Sequence, residues 1–449
     1  MHRSSRSAAL GLLVLVAALA VVATSTHCCG GGAVKMSPSP PVSREPGTLP
    51  ARTARPSLDA ADGSEKAAAI MRAFAERSGI AGRGPGVRYL WTDAFAVCNF
   101  LGLARFTGRS EYQDLALQLV DRVHHTLGRH RPDDARRGWI SGLDARAGEL
   151  HPTLGGLRIG KSLPERAPGE PFDAQLEWDR DGQYFHYLTK WMHALDQAAR
   201  ATRQPLFNVW GRELADAAHR GFVYRADGGT QRRMYWKMNV DLSRPLVPSM
   251  GLHDALDGFI TSAELRETAR AWPGAGGPVL DDVSADFDAM IDPESFETTD
   301  PLGIGGLLAD AYRVAQLDEV GAVATPGLTE RLLQAALAGV KHYVRQGELQ
   351  QSAERRLAFR ELGLAIGLDA VAAMQREAAA NGAGTKVRRA LLEELDRHGA
   401  VGARIVAFWM EPEHQAARSW TEHRDINDVM LATALAPDGF LVLRAEGAR

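Results

Sequence analysis

The sequence predicts an all-α protein in which six buried helices form a ring inside an outer ring of amphipathic helices. Six segments each open with an acidic or polar residue and then stay apolar on every side, beginning near residues 91, 181, 252, 300, 357 and 424. Between them lie stretches with apolar residues at i, i+3 and i+4, namely 110–127, 205–223 and 327–345. A helix that is apolar all round is buried all round, so the first set belongs inside the second.

The remaining elements complete this arrangement. The helix predicted at 64–78 can pair with the last buried segment and close the ring, and the irregular spacing of the six segments excludes a solenoid of fixed period. Strand signals are few, and "RRMYWKMNVDL" predicts one short β-hairpin near residues 230–243. The glycines of "GIGGLL" at 303–308 follow no strand and precede no phosphate-loop lysine, which indicates close helix packing rather than nucleotide binding.

The N-terminal part of the chain has the composition of a targeting segment and a tether. Arg3 and Arg6 precede the apolar run 8–23, so residues 1–29 are interpreted as a signal peptide or an N-terminal anchor. Cys28 leaves a lipoprotein as an alternative, although the residues before it lack the expected small side chain. Residues 30–62 are a Pro/Gly/Ser-rich linker to a domain at 63–440. We therefore expect an exported protein, periplasmic or extracellular, that contacts a membrane only through an uncleaved or lipidated N-terminal segment.

Composition narrows the classes of partner. Hydrophobic residues make up 45% and charged residues 24% of the 449 positions, which is typical of a globular domain. The net charge of −3 gives no reason to expect a nucleic acid or an anionic membrane as partner. Cys98 lies in an apolar stretch and is expected to be a buried free thiol. The sequence has neither an HExxH nor a CxxC pattern, so we predict no metal site and no cofactor.

The alternation of buried and amphipathic helices resembles the six-hairpin glycosidase superfamily, whose fold is the (α/α)6 toroid. The resemblance covers about 375 residues as a pattern of helices and includes no diagnostic motif. It implies glycoside hydrolase activity, or the activity of the lyases, sugar epimerases and terpene cyclases built on related toroids, among which the fold alone does not choose. It also implies a site at the end of the toroid where the inner helices begin.

Two long loops, 129–180 and 399–423, bring carboxylates and aromatic rings to that end, a combination that suits a saccharide. Glycoside hydrolysis needs two carboxyl groups, one acid and one base or nucleophile. The catalytic candidates are Glu177, Asp181, Glu411 and Asp425. The candidates for substrate binding are the polar and aromatic residues near the starts of the inner helices and in the two loops: Trp91, Asp93, Trp139, Trp178, Tyr184, His186, Lys190, His253, Trp420, Glu422 and His423.

The leading hypothesis is an exported glycoside hydrolase, and two others stay open. A lyase or sugar epimerase would use histidine with tyrosine or glutamate as acid and base, and a non-catalytic module would only bind glycans. Asp93, Asp181 and Asp425 also suit simple helix caps. On the helix that begins near 181, one face carries His186, Lys190, His193 and Gln197, and on an inner helix these polar groups must point into the lumen.

Overall fold

The computed structural model describes residues 60–82, 86–226, 229, 231–382 and 384–443. The predicted signal peptide or anchor at 1–29, the alternative of a lipidated Cys28 and most of the linker lie outside the described residues. Residues 60–62, which the sequence assigns to the linker, form the first turn of a helix. In the described part of the chain, no helix combines the length and the apolar character that a membrane crossing requires.

The described residues form eighteen α-helices and five short strands. In chain order the helices are α1 (Ala60–Arg77), α2 (Leu90–Thr107), α3 (Ser110–Leu127), α4 (Ala145–Leu150), α5 (Ala174–Asp179), α6 (Phe185–Thr202), α7 (Pro205–Phe222), α8 (Asp254–Ala269), α9 (Asp281–Asp288), α10 (Pro301–Glu319), α11 (Leu328–Gln346), α12 (Ala358–Asn381), α13 (Lys386–Asp396), α14 (Gly399–Met410), α15 (Pro412–Gln415), α16 (Arg418–Thr421), α17 (Arg424–Leu435) and α18 (Asp438–Leu441). The strands are β1 (Gln183–Tyr184), β2 (Val223–Arg225), β3 (Arg232–Met234), β4 (Lys237–Met238) and β5 (Pro245–Val247).

Six helices form a closed inner ring. Each of α2, α6, α8, α10, α12 and α17 packs against the next, and α17 packs against α2. The outer helices α3, α7, α9 and α11 pack on α2, α6, α8 and α10, while α13 and α14 both pack on α12 and α1 packs on α17. The protein is therefore an (α/α)6 toroid. The predicted fold class is confirmed, including all six inner segments and the closure of the ring by the first helix.

The two rings differ in burial as the sequence patterns predict. Residues 90–101 of α2 are buried without a break, whereas α11 buries one stripe that includes Leu328, Leu332 and Ala336. Cys98 is a buried free thiol, and burial raises the pKa of that thiol well above its usual range. The core of the protein is thus the space between the inner ring and its outer partners.

The C-terminal segment closes one end of the lumen. Gln197 donates to the carbonyls of Gly439 and Val442, and Gln316 donates to that of Leu441. The ring of Phe440 stacks on Phe95 with 4.3 Å between the centroids. Because Gln197 and Gln316 lie in the last two turns of α6 and α10, this plug occupies the end where the inner helices finish. The open end, called the mouth below, is where they begin.

Two small antiparallel sheets replace the single predicted hairpin. Strands β2 and β3 form one, and β1, β4 and β5 form the other in the order β1-β4-β5. The segment predicted as a hairpin contributes β3 to the first sheet and β4 to the second, so its residues divide between the two. Since β1 directly precedes α6, the three-stranded sheet lies at the mouth.

The glycines of "GIGGLL" allow α10 and α12 to touch, as the sequence predicts. A Cβ at Gly305 would lie 2.0 Å from the carbonyl oxygen of Gly363, whereas a Cβ at Gly306 would meet nothing within 4 Å. We expect Gly305→Ala to lower the free energy of unfolding by about 1–3 kcal/mol through overpacking. Gly306→Ala should instead raise it, by up to about 1 kcal/mol, because alanine favours the helix. Urea unfolding of both variants checks this, and equal effects would contradict the close contact.

Candidate functional site at the mouth of the toroid

A cluster of aromatic rings lies where α6 begins. Tyr184 is 5.0 Å from Trp236, 5.2 Å from Tyr187 and 5.4 Å from His186 between ring centroids. Trp178 packs edge-on against Trp236 at 4.7 Å. All of these side chains except Tyr184 are partly exposed. The cluster therefore presents a mostly aromatic surface to a ligand at the mouth, which we call the aromatic platform.

The small sheet fixes this platform. Strand β1 pairs with β4 so that Tyr184 lies opposite Lys237, and Trp236 directly precedes β4. Gly182, just before β1, has a φ of +143°, and a Cβ there would lie 2.6 Å from the carbonyl oxygen of Met238. The close pairing of these strands thus depends on glycine at position 182.

His186 is the platform residue with free ring nitrogens. Its ring lies parallel to that of Trp236, with 11° between the planes and 6.0 Å between centroids, and 4.7 Å from the Tyr187 ring. Among the described residues, none accepts from or donates to its ring nitrogens within hydrogen-bond distance. Burial lowers the pKa of His186 to about 4. The imidazole is therefore neutral at physiological pH and has one nitrogen that can accept a proton.

A turn further along α6, Lys190 forms an ion pair with Asp257 of α8, with 3.0 Å between Nζ and Oδ1. Deeper in the lumen, His193 lies 2.7 Å from the Glu264 carboxylate, which also binds Arg313 of α10. These contacts confirm that the polar face of α6 points into the lumen. They form a polar column from the mouth to the C-terminal plug.

Two carboxyl groups of α8 differ in protonation. Burial raises the pKa of Asp254 to about 7, with the charge of Asp257 adding to the effect. Burial also favours a neutral Asp257, but the adjacent Lys190 outweighs it and lowers the pKa of that carboxyl below its ordinary value. Asp254 also accepts a bond from the amide of Gly251, which precedes the helix. One carboxyl near the mouth is thus partly protonated at neutral pH and the next is ionised.

Two tyrosines join α2 to α6 beside the platform. The hydroxyl groups of Tyr89 and Tyr187 are 2.8 Å apart, so one donates to the other. Burial raises the pKa of Tyr89 to about 12 and that of Tyr187 well above its ordinary value. Both phenols therefore stay protonated at neutral pH. One of the two protons is used in the bond between them, and the other is available to an acceptor.

Two predicted catalytic carboxylates, Glu177 and Asp181, are held in ion pairs. Glu177 accepts from Arg166 at 2.8 Å and from the buried Lys237 at 3.1 Å. Asp181 is fully buried and binds Arg158. These contacts tie the loop 129–180 to the sheet at the mouth. A catalytic role for either residue stays a prediction, since both carboxylates already neutralise cations of the protein.

The other two predicted catalytic carboxylates are exposed to solvent. Glu411 is exposed at the junction of α14 and α15. Asp425 is half exposed in the first turn of α17 and pairs with Arg77 of the outer helix α1 at 2.9 Å. Within the ranges that the structure describes, neither of them forms a hydrogen bond or ion pair with the aromatic platform, with Glu177 or with Asp181. Their catalytic role likewise stays a prediction.

Among the predicted binding residues, Trp178, Tyr184, His186 and Lys190 come together at the mouth. Trp91 is buried against Phe95, with 4.3 Å between the ring centroids. Phe95 in turn contacts Phe440 of the plug. Asp93 accepts from the Tyr89 amide and faces Arg88 at 3.4 Å, while burial raises the pKa of its carboxyl to about 7. Its position is that of a buried group bracing the start of α2.

The remaining predicted binding residues make their contacts outside the aromatic platform. Trp139 is buried beneath the guanidinium of Arg129, and Trp420 is buried against Trp409. His253 bonds through Nε2 to the Phe296 carbonyl at 2.9 Å. Exposed Glu422 pairs with Arg418, and His423 packs on Phe359. Burial lowers the pKa of His423, and its Nε2 is buried without a hydrogen bond among the described residues.

Several mouth residues were not among the sequence candidates. Tyr89, Tyr187 and Trp236 match ordinary apolar positions in the sequence, and Asp257 lies in the first turn of α8. A usable signal existed only for Asp257, because an acid inside an otherwise apolar inner helix needs a partner in the lumen. Trp236 reaches the site only through the pairing of β4 with β1, which joins positions 237 and 184.

A cavity of about 380 Å³ lies beside the mouth, between the start of α10, the end of α11 and the start of α12. Its wall includes Arg356 and Glu361, which form a buried ion pair at 2.7 Å. Glu361 also accepts from Tyr343 and from the indole of Trp409. In the ranges that the structure describes, no group of three or more His, Cys, Asp or Glu side chains is placed to hold a metal ion.

Comparison with known proteins finds a likeness in structure. No protein-family model matches the chain, and no curated protein matches it. The chain is similar in structure to cellobiose 2-epimerase from Spirochaeta thermophila DSM 6192, with 12% sequence identity and a TM-score of 0.46. The alignment covers 84% of this chain and 98% of that chain. The toroid itself is established by the ring of helix contacts within this chain.

Proposed function

We propose that the protein is a carbohydrate-active enzyme that works by general acid–base chemistry at the mouth of the toroid, as a sugar epimerase or a lyase. The observation that carries the proposal is the neutral imidazole of His186, which faces the mouth with free ring nitrogens and a pKa lowered to about 4. A general base must be unprotonated and within reach of the proton that it removes. His186 meets the first requirement over the whole physiological range.

The groups around His186 suit the abstraction of a carbon-bound proton next to a carbonyl. When His186 takes that proton, the electron pair moves to the carbonyl oxygen and gives an enolate. The Tyr89–Tyr187 pair retains one phenolic proton that can be donated to this oxygen. Return of a proton to the opposite face of the same carbon gives an epimer. Loss of a leaving group from the adjacent carbon instead gives an unsaturated product.

A saccharide is the substrate class that the platform favours. The partly exposed Trp178 and Trp236 offer rings on which the C–H face of a sugar can stack, and Lys190 and Asp257 offer partners for hydroxyl groups. Sites of this kind combine apolar and aromatic walls with a few placed polar groups. A platform on which a sugar can stack would also suit the alternative of a binding module, which would bind the sugar without forming a product.

Glycoside hydrolysis is the second candidate, favoured by the carboxyl pair on α8. Asp254, with a pKa raised to about 7, can act as the acid, and Asp257, held ionised by Lys190, as the base or nucleophile. Paired carboxyl groups with separated pKa values are what the hydrolytic mechanism requires. This pair replaces Glu177 with Asp181, or Glu411 with Asp425, as the best-supported source of the two carboxylates.

Incubation of the purified protein with a panel of oligosaccharides in D2O, followed by proton NMR, tests the proposal. Epimerisation predicts deuterium at the epimerised carbon, and elimination predicts an unsaturated product that absorbs in the ultraviolet. Hydrolysis predicts new reducing ends with neither deuterium on carbon nor ultraviolet absorbance. Saccharide binding without exchange or product would contradict both enzymatic candidates and leave the binding module.

A further inference from the structure

We propose that the substrate is an acidic saccharide, whose carboxylate or sulfate group binds the ammonium of Lys161 at the edge of the aromatic platform. The inference rests on the proposed function, because it names the substrate class of the same site. It follows from the position of Lys161, a cation that lies beside the platform and has no ion-pair partner among the described residues.

Lys161 reaches the site from the loop 129–180. Its Nζ lies 5.5 Å from the centroid of the Tyr184 ring, and its charge acts on His186. The side chain is partly buried. A ligand that covers the exposed rings of the platform, beside Tyr184 and within reach of His186, would therefore have its edge close to this ammonium.

The backbone at Lys161 is held firmly. Asp181, whose other oxygen binds Arg158, accepts from the amides of Gly160 at 3.0 Å and of Lys161 at 3.4 Å. Gly160 has a φ of +94°, and a Cβ there would lie 2.1 Å from the carbonyl oxygen of Arg88. These contacts fix the backbone from which the Lys161 side chain extends.

The other cations around the mouth already have partners. The ion pairs are Lys190 with Asp257, Arg360 with Asp300, Arg158 with Asp181, and Arg166 and Lys237 with Glu177. Lys161 makes no ion pair or side-chain hydrogen bond within the ranges that the structure describes. Asp179, Asp181 and Glu177 favour its charged form from beyond ion-pair distance, and burial opposes it.

An uncompensated, partly buried ammonium is costly, and an anionic ligand removes that cost. Burial and the neighbouring Lys237 lower the pKa of Lys161 to about 8, so the group is still mainly charged at neutral pH. Lysine binds carboxylate and sulfate alike, as a point charge, so the shared requirement is a negative group on the sugar.

The test compares binding of three probes by calorimetry: an oligouronate, a sulfated oligosaccharide and a neutral oligosaccharide of the same length. Wild-type protein should bind one or both acidic probes about 10- to 100-fold more tightly than the neutral one. Lys161→Met should lose this preference, and Lys161→Arg should keep most of it. Lys386→Met, which alters an exposed lysine at the start of α13, is the matched control and should bind as wild type does.

The outcomes separate this inference from the proposed function. If only the oligouronate binds more tightly, the anionic group of the substrate is a carboxylate. If only the sulfated probe binds more tightly, that group is a sulfate ester. Equal binding of neutral and acidic probes, or an unchanged preference in Lys161→Met, overturns the inference even if turnover is observed. A preference lost in Lys161→Met but unaccompanied by turnover supports the inference and contradicts the enzymatic function.

Discussion

Replacement of His186 by asparagine is expected to lower kcat by about 10²- to 10⁴-fold, the usual contribution of a general acid or base. Asparagine keeps a polar side chain but cannot take up a proton, and KM should change little because the rings of Tyr184 and Trp236 remain. The measurement is steady-state turnover of the saccharide that shows deuterium exchange. The pH profile of the wild type adds an independent readout.

The sign of that profile follows from the lowered pKa. A base acts in its unprotonated form, so kcat/KM should fall as the pH decreases through about 4, where His186 takes up its proton. An ordinary histidine would lose activity near pH 6.5 instead. An acidic limb near 6.5, or a His186→Asn variant with more than a tenth of the wild-type kcat, would contradict the assignment of His186 as the base.

The matched control is His398→Asn. His398 is also half buried with a pKa lowered by burial, but it precedes α14. The other end of that helix reaches the mouth, where Trp409 donates to Glu361 at the start of α12, so His398 lies at the far end. His398→Asn should keep wild-type kcat. A loss equal to that of His186→Asn would show that the effect arises from stability and not from the site.

The architecture was predictable because the burial of a helix determines the pattern of apolar residues along its sequence. An inner helix such as α2 must be apolar on every side, whereas an outer helix such as α11 needs apolar residues on only one side. Both patterns are visible in the sequence. Helix starts carry acids or polar caps as well, for example Asp300, which accepts from the amide of Gly303. These local rules fixed the six inner helices, and with them the end of the toroid where the site lies.

The site was predictable only in part, because its chemistry depends on which side chains pair in space. His186 and Lys190 were found because an inner helix turns its polar face to the lumen. The carboxylates could not be sorted in the same way. Glu177 is neutralised by Lys237, which is 60 positions away, and Asp425 by Arg77, which is 348 positions away. No local pattern separates an acid that is paired in this manner from one that is free.

The second large effect is expected at Glu264, the centre of the buried polar column. Its two oxygens bind His193 and Arg313, and all three side chains are almost fully buried. His193 also bonds through Nε2 to the Phe440 carbonyl at 2.9 Å. Both ring nitrogens lie within hydrogen-bond distance of oxygen atoms. Removal of Glu264 would thus leave the buried His193 ring and the Arg313 guanidinium without their shared partner.

We expect Glu264→Ala to lower the free energy of unfolding by about 3–5 kcal/mol, as for other buried pairs that lose one member. Burial would raise the pKa of Glu264, but His193 and Arg313 hold it well below its ordinary value. Because the folded-state pKa is lowered, this contribution is present above the unfolded-state pKa of about 4.5 and is lost as the pH falls through the folded value. The difference from wild type should therefore be largest at neutral pH.

Urea unfolding at pH 7 and at pH 4 measures this difference, with Glu267→Ala as the matched control. Glu267 lies one turn further along α8 and pairs with Arg270, whose side chain is 57% exposed, so its loss should cost at most about 1 kcal/mol.

If Glu264→Ala fails to fold, Glu264→Gln keeps the shape and one acceptor oxygen and allows the measurement. Hydrogen exchange at the amide of Leu443 adds a local readout, because His193 and Gln316 both hold the plug. Unfolding energies within 1 kcal/mol of wild type, with unchanged exchange there, would show that the column does not hold the C-terminal segment in place. A large loss confined to Glu264 would instead show that the charged groups in the lumen also hold the C-terminal segment that closes its far end.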